Sequence, residues 1–254
     1  MNIIVCFKYT HSLDKDSIFN FNPYDLYALH QIMEMKKKKN EIKIIALGMG
    51  PTQAIPMMKH TIALGCDEAY LVSDEAFRGA DTLSTAYILS KAIEYLPFSK
   101  VICCGEKSID SETGFVPAIL AYKLNYLYIP NIKMIYTLDE ETIKVSSEHN
   151  NREFILHSQL PIVIGFSGIQ NESTAISLMR LKSANRYKVN ILDNKCLKLR
   201  HDLIGIPGSK TQIIKLHKIN KPQKEKLNLY NLDDGIDILM NFINSKDKNK
   251  NEFE

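Results

Sequence analysis

The residues best suited to chemistry lie between two apolar segments: Gly105, Ser108, Asp110, Ser111, Thr113 and Gly114. Small and hydroxyl-bearing residues leave backbone N–H groups uncovered. Where a helix begins just beyond them, those N–H groups and the helix dipole favour an anion such as a phosphate. The flanking pattern supplies such a helix. Val101 to Cys104 is an apolar run without polar alternation, as in a strand buried on both faces, and Val116, Ile119, Leu120 and Leu124 recur at helical spacing. The unit reads strand, loop, helix. The same residue types also turn and cap ordinary βα loops, so the pattern gives a place for an anion without naming a ligand.

Other segments of the same kind must stand beside this loop. Ile3 to Phe7 reads as a central parallel strand, and Asn22-Pro23-Tyr24-Asp25 opens a helix with Leu26, Leu29, Ile32 and Met33 on one face. Asn22 is its expected N-cap, with Pro23 tolerated in the first turn. Ile42 to Leu47 is the next strand and ends in Gly48-Met49-Gly50-Pro51-Thr52-Gln53; Pro56 then kinks the following helix or delays its start, and Gly65 closes it. Ala69 to Val72 is a third strand. Ser73 to Thr85 follows as a long loop, with Asp81 as the N-cap of a helix faced by Leu83, Ala86, Tyr87 and Ile93.

Beyond the central loop, Met134 to Leu138, Ile143 to Ser147 and Glu153 to Leu156 surround the turn residues Asp139 and Asn150-Asn151, a pattern for antiparallel strands, and Leu160 to Phe166 returns to a buried strand. From Tyr187 onward the sequence reads as an arm: a turn-rich linker from Leu203 to Thr211, a Lys-rich stretch, then an amphipathic helix with Ile236, Leu239, Met240 and Ile243 as its stripe and Asp233 as N-cap. Lys246 to Glu254 reads as disordered. The expected class is α/β, a mostly parallel doubly wound sheet with a small antiparallel portion and a C-terminal arm ending in a helix. The expected division is a nucleotide-binding domain over 1–186 and the arm over 187–254.

Composition narrows the function classes. The chain has 254 residues with 45% hydrophobic content, and its 32 basic residues against 29 acidic ones are too balanced for a nucleic-acid partner. No run approaches a membrane span, and the five cysteines form neither a C-x-x-C pair nor a zinc spacing, so a soluble cytoplasmic protein with reduced thiols is expected. No G-x-G-x-x-G fingerprint occurs, and the seven histidines are scattered, so no catalytic set and no metal site are expected.

The motifs resemble the electron-transfer flavoprotein β subunit family. Its nucleotide loop typically reads Gly-Arg/Lys-Gln-Ala-Ile-Asp-Gly-Asp-Thr-Ala-Gln-Val-Gly-Pro, which Gly105, Ile109, Asp110, Thr113 and Val116 match, with Glu112 close. Asn22, Pro23 and Asp25 fit its Asn-Pro-x-Asp/Glu, and Met49, Gly50, Pro51 and Gln53 its Met-Gly-Pro-x-Gln. Ser73 to Thr85 resembles the segment of the NADH-using branch from anaerobes, in which this subunit holds a second FAD; Thr82 and Thr85 match the two threonines at that flavin. The resemblance spans Ile3 to about Ile243. It implies cofactor contacts at Cys6, Asn22, Pro23, Tyr24, Asp25, Met49, Thr82, Thr85, Gly105, Ile109, Asp110, Ser111, Glu112, Thr113, Gly114, Phe115 and Val116, with FAD as cofactor and AMP as the alternative.

It further implies an α subunit wrapped by the arm through a segment like Gly208-Ser209, an acyl-CoA-type dehydrogenase partner, NADH as a donor, and Leu178 on an exposed loop as an anchor for that dehydrogenase. The sequence departs from the family in several places. The connection from Tyr9 to Phe21 is short, and Ser173-Thr174-Ala175 replaces Pro-Arg-Tyr in the recognition loop. Ser147 replaces a basic residue, Phe115 and Pro117 stand for Gln and Gly, and Glu106 replaces an attraction for pyrophosphate by a repulsion. Two other classes fit the same loops: a stand-alone enzyme acting on an adenine nucleotide with a metal at Asp110 or Glu112, and a cofactor-free paralogue serving as an assembly partner.

Overall fold

The computed structural model describes residues 1–10, 21–169, 176–211 and 232–248. The chain divides into two compact units, 1–212 and 213–254. The first begins β1 (Asn2–Lys8), α1 (Pro23–Lys38), β2 (Lys43–Met49), α2 (Ile55–Leu64), β3 (Glu68–Val72), α3 (Thr82–Tyr95), β4 (Val101–Gly105) and α4 (Val116–Leu124). It continues β5 (Leu127–Leu138), β6 (Thr142–His149), β7 (Arg152–Gln159), β8 (Ile162–Phe166), α5 (Leu178–Arg186), β9 (Asn190–Leu192), α6 (Asn194–Leu197) and α7 (Gly205–Gly208). In the second unit the described element is α8 (Leu232–Lys248).

The strands form one sheet in the order β7-β6-β5-β8-β4-β1-β2-β3-β9. Pairings from β5 through β8 to β9 are parallel; β5–β6 and β6–β7 are antiparallel. The apolar runs of β1 and β4 are continuous because both sheet faces are covered. Ile3, Val5 and Phe7 pack with Leu29 and Ile32 of α1 and Met57 and Met58 of α2. Ile4 and Cys6 pack on the other face with Ile88 and Ala92 of α3 and Leu120 of α4. This is the doubly wound, mostly parallel sheet that the sequence pattern predicts.

The winding fixes where a site can form. The connections through α1 and α2 step from β1 to β2 to β3, and α3 then carries the chain back past β1 to β4 on its other side. Connections therefore leave β1 and β4 in opposite directions, which opens a crevice beyond their C-terminal ends.

Several local readings hold. Asp81 caps α3 by accepting the Ser84 N–H at 2.9 Å, and Gly65 ends α2 at φ 127°. Pro56 delays α2, which begins only after a 3-10 turn over Thr52–Ala54. Asn150 and Asn151, at φ 49° and 58°, make the left-handed turn that joins β6 to β7. Ser147 is buried and donates its hydroxyl to the Pro130 carbonyl at 2.8 Å.

Other readings change. Residues 190–192, within the segment read as an arm, add a strand beside β3, and the first compact unit runs on to residue 212. Asp233 lies inside the first turn of α8, which starts at Leu232, and the helix includes residues 246–248 that read as disordered. Residues 249–254 lie outside the described residues. On α8, Ile236, Leu239 and Met240 are exposed at helical spacing. Among the described residues no helix is long and apolar enough to cross a membrane.

Candidate functional site

A buried carboxylate holds the crevice together. Asp25 sits in the first turn of α1 and is 4% exposed. Its Oδ2 accepts the Lys8 N–H at 2.8 Å, and its Oδ1 accepts the Gly105 N–H at 3.0 Å and the Asn22 amide at 3.0 Å. One side chain thus ties the last residue of β1 to the last residue of β4. Burial pushes the Asp25 carboxyl up to about 7, against the lowering effect of those N–H bonds and of the Lys8 charge.

Asn22 occupies the N-cap position of α1 without capping it by its side chain. Its amide N–H groups donate to the Asp25 carboxylate, in the first turn of the same helix, and to the Lys107 carbonyl at 2.8 Å. Its Oδ1 is buried without a hydrogen-bond partner. A buried acceptor left open costs about 1–3 kcal/mol and fits a donor supplied by a ligand.

The loop after β4 is gathered by Lys8. The Lys8 ammonium donates to Ser108 Oγ at 3.0 Å, Asp110 Oδ1 at 2.5 Å and Ser111 Oγ at 3.0 Å. The Ser108 and Ser111 hydroxyls are 2.8 Å apart, and the Ser108 carbonyl accepts the Glu112 N–H at 2.9 Å. Burial alone would raise the Asp110 carboxyl, but the bonds from Lys8 and Ser108 and the Lys8 charge bring it below the ordinary value. Glu112, at φ 51°, pairs with Lys107 at 3.2 Å, and Lys107 lies 5.9 Å from the centre of the Tyr24 ring. Both carboxylates read as possible metal ligands are therefore paired with lysines, and among the described residues no group of three metal-capable side chains forms.

Glu106 also has a bracing role in the sheet. Its carboxylate accepts the Tyr128 hydroxyl at 2.9 Å and the Asn131 N–H at 3.1 Å, bracing β5 against β4. Burial and this carboxylate both push the Tyr128 phenol up. Both donors are neutral, so these bonds hold the carboxylate in place and leave its negative charge.

A second built region stands where α3 begins. Asp81 caps the helix with Oδ1, while its Oδ2 accepts the N–H groups of Lys210 at 2.6 Å and Thr211 at 3.1 Å. Ser209 Oγ accepts the Asp81 N–H at 2.8 Å and lies 2.7 Å from the Gly205 carbonyl. Gly205, at φ +55°, has no room for a Cβ, which would fall 2.2 Å from the Ala76 carbonyl oxygen. The segment read as a linker is folded onto the loop that leads to Thr82 and Thr85.

The sequence-selected residues gather at one edge of the sheet. Met49 ends β2 and is the register partner of Lys8; Thr82 and Thr85 are half-buried in the first turn of α3. Pro23 and Tyr24 start α1, and Ile109, Glu112, Thr113, Gly114 and Phe115 line the loop that leads into Val116 at the start of α4. Cys6 points into the core beneath this edge and shares a hydrogen bond with the buried Cys104 thiol, which that bond and burial push well up. Phe115 is 64% exposed, and Ile109 is exposed too.

Leu178 stands apart, as the first residue of α5 and not on a loop, because Ser177 caps that helix by accepting the Arg180 N–H. It is 76% exposed, with exposed Met179 beside it. The recognition loop at 170–175 and the connection at 11–20 lie outside the described residues. Lys8 is the contributor that sequence reasoning passed over, and Glu106 and Ser209, noted there for other roles, brace the loops. A lone lysine directly after a buried parallel strand was the available signal for the first.

The residues present fit an adenine nucleotide. No protein acceptor takes the N–H groups of Thr113 and Gly114 among the described residues, and they precede the helix N-terminus of α4. A Cβ at Gly114 would approach only the Glu106 carbonyl, at 3.5 Å, so space remains on that side of the loop. The unpartnered Asn22 Oδ1 lies at the start of α1.

A family model described as the electron transfer flavoprotein domain matches residues 13–189. The chain is 31% identical over 237 residues to the electron transfer flavoprotein subunit beta of Megasphaera elsdenii, covering 85% of this chain and 87% of that one. It is 30% identical to the protein FixA of Azotobacter vinelandii, covering 84% and 78% of the two chains. It is also 30% identical to the acryloyl-CoA reductase electron transfer subunit gamma of Anaerotignum propionicum, covering 80% and 77%. With a domain match over most of its length and similarity of this extent to a β subunit, the chain belongs to the electron transfer flavoprotein family, on its β-subunit side.

Proposed function

We propose that the chain pairs with a flavin-bearing α subunit and holds FAD in the crevice between the ends of β1 and β4, carrying electrons between NADH and an acyl-CoA-type dehydrogenase. The observation that carries this reading is the convergence of Asn22 to Asp25, Met49 and the 105–116 loop on the topological switch point, with an open acceptor and open N–H donors. Asn22 and Tyr24 would meet the adenine end, and Ser111, Thr113 and the Gly114 N–H the phosphates. Thr82 and Thr85, set by the Asp81–Ser209 contacts, would meet the flavin. Bound FAD would supply the redox-active ring.

AMP is the second reading, favoured by Phe115, whose exposed ring stands at the start of α4 without a donor for a second phosphate. The acyl-CoA-type partner is suggested by the relative named for an acryloyl-CoA reductase. The exposed apolar residues of α8 suit the covering surface of an α subunit, since a lone amphipathic helix is marginal in water. Cys6, Cys66, Cys103 and Cys104 are buried free thiols, in keeping with the cytoplasm.

Flavin and nucleotide counts on the co-purified αβ pair test this. Two flavins per pair are expected. One flavin with released AMP replaces FAD by AMP, and one flavin with no further nucleotide contradicts both and favours the cofactor-free paralogue. A separate result is expected at Leu178. Burial of one leucine contributes about 1.5–3 kcal/mol, so Leu178→Ala should slow electron delivery to the dehydrogenase about tenfold or more with the αβ pair intact. Unchanged stopped-flow rates would remove it from the partner surface.

A further inference from the structure

We propose that Lys8 is a positioning residue of the nucleotide loop, holding it in its receiving shape and cancelling the charge of Asp110. The inference rests on the reading that the crevice takes an adenine nucleotide. Lys8 is fixed at both ends. Its backbone N–H donates to Asp25 at 2.8 Å, and its ammonium donates to Ser108, Asp110 and Ser111 at 3.0, 2.5 and 3.0 Å. The two serine hydroxyls, 2.8 Å apart, lie on one side of the ammonium beside the Asp110 carboxylate.

What Lys8 does provide is shape and charge balance. The two serine hydroxyls converge on it 2.8 Å apart, and this closes the turn in which the Ser108 carbonyl takes the Glu112 N–H. That turn leads directly into the open N–H groups of Thr113 and Gly114. Asp110 lies on the same loop as these donors, so an unpaired carboxylate there would oppose any phosphate they receive. Lys8 offsets that one carboxylate.

The test uses the αβ pair freed of nucleotide, with AMP as the probe because its adenylate is common to both cofactor readings. By calorimetry, Lys8→Met should weaken AMP about 10- to 100-fold, and Lys8→Arg, which keeps the charge, should lose less. The double variant Lys8→Met with Asp110→Asn should regain most of the affinity, since removing the carboxylate removes the need for its counter-charge. A merely structural lysine would give a double variant no better than the single one, and that result overturns the proposal. A wild-type pair that binds no AMP overturns the nucleotide reading together with this one, whereas wild-type binding with Lys8→Met within twofold overturns this one alone. If Lys8→Met fails to pair but the double variant pairs and binds, charge balance is supported; if neither pairs, Lys8 is a folding residue and the proposal fails.

Discussion

Asp25→Ala is expected to lower the melting temperature by about 6–12 °C and to abolish nucleotide retention. The substitution leaves the Lys8 N–H, the Gly105 N–H and one Asn22 amide hydrogen without their acceptor in a buried place. Losing a buried partner costs about 1–3 kcal/mol, so the set amounts to about 3 kcal/mol or more, at roughly 2–4 °C per kcal/mol for a unit of this size. The ends of β1 and β4 would part, and with them the two sides of the crevice. Calorimetric melting of variant and parent measures this directly. A shift under 2 °C would show that the carboxylate does not hold the strands.

The same residue gives a pH dependence whose sign is fixed. The folded carboxyl titrates at about 7, whereas an ordinary Asp titrates at 3.8, so the folded chain binds more protons between these values. Its contribution is full below the unfolded value and is lost as the pH rises through about 7, a change of up to about 4 kcal/mol at about 1.4 kcal/mol per unit. The stability of wild type relative to Asp25→Asn should therefore fall from pH 4 to pH 8. A flat difference across that range contradicts the burial argument.

Gly105→Ala is the second large effect, and it acts through space alone. A Cβ at Gly105 would stand 2.4 Å from Asp25 Oδ1, 2.7 Å from the Tyr24 Cβ and 2.9 Å from the Asn22 amide nitrogen. Atoms cannot approach so closely, so the start of α1 must move away from the end of β4. Overpacking of this kind costs about 1–3 kcal/mol. The larger consequence is functional, because the displaced residues include the open acceptor of Asn22; AMP binding to the αβ pair should weaken at least tenfold. Unchanged stability and affinity would mean that the glycine is not required for this approach.

The parts of the fold legible in the sequence are those governed by local pattern. Ile3 to Phe7 and Val101 to Cys104 announce buried strands because both of their faces are covered, and Asp81, Gly65, Pro56 and Asn150-Asn151 act within a few residues of themselves. Contacts between distant segments leave no such mark. Lys8 meets Ser108 and Asp110 about a hundred positions away, and neither end carries a local signal of the other. Asn22 is legible as a helix start, but the bond from its amide N–H to the Lys107 carbonyl, 85 positions away, is not. Gly205 to Ser209 has the composition of a linker, since glycine and proline mark a turn equally well whether it is free or, as here, docked against Ala76 and Asp81.

Photolabelling tests the central claim, that the crevice between β1 and β4 receives an adenylate. The αβ pair freed of nucleotide would be irradiated with 8-azido-AMP, digested, and its labelled peptides sequenced. The account predicts label on the segment containing Asn22 to Asp25 or on the segment from Gly105 to Val116, with both suppressed by excess AMP. Label confined to other segments of the chain, or label that AMP does not suppress, would contradict it.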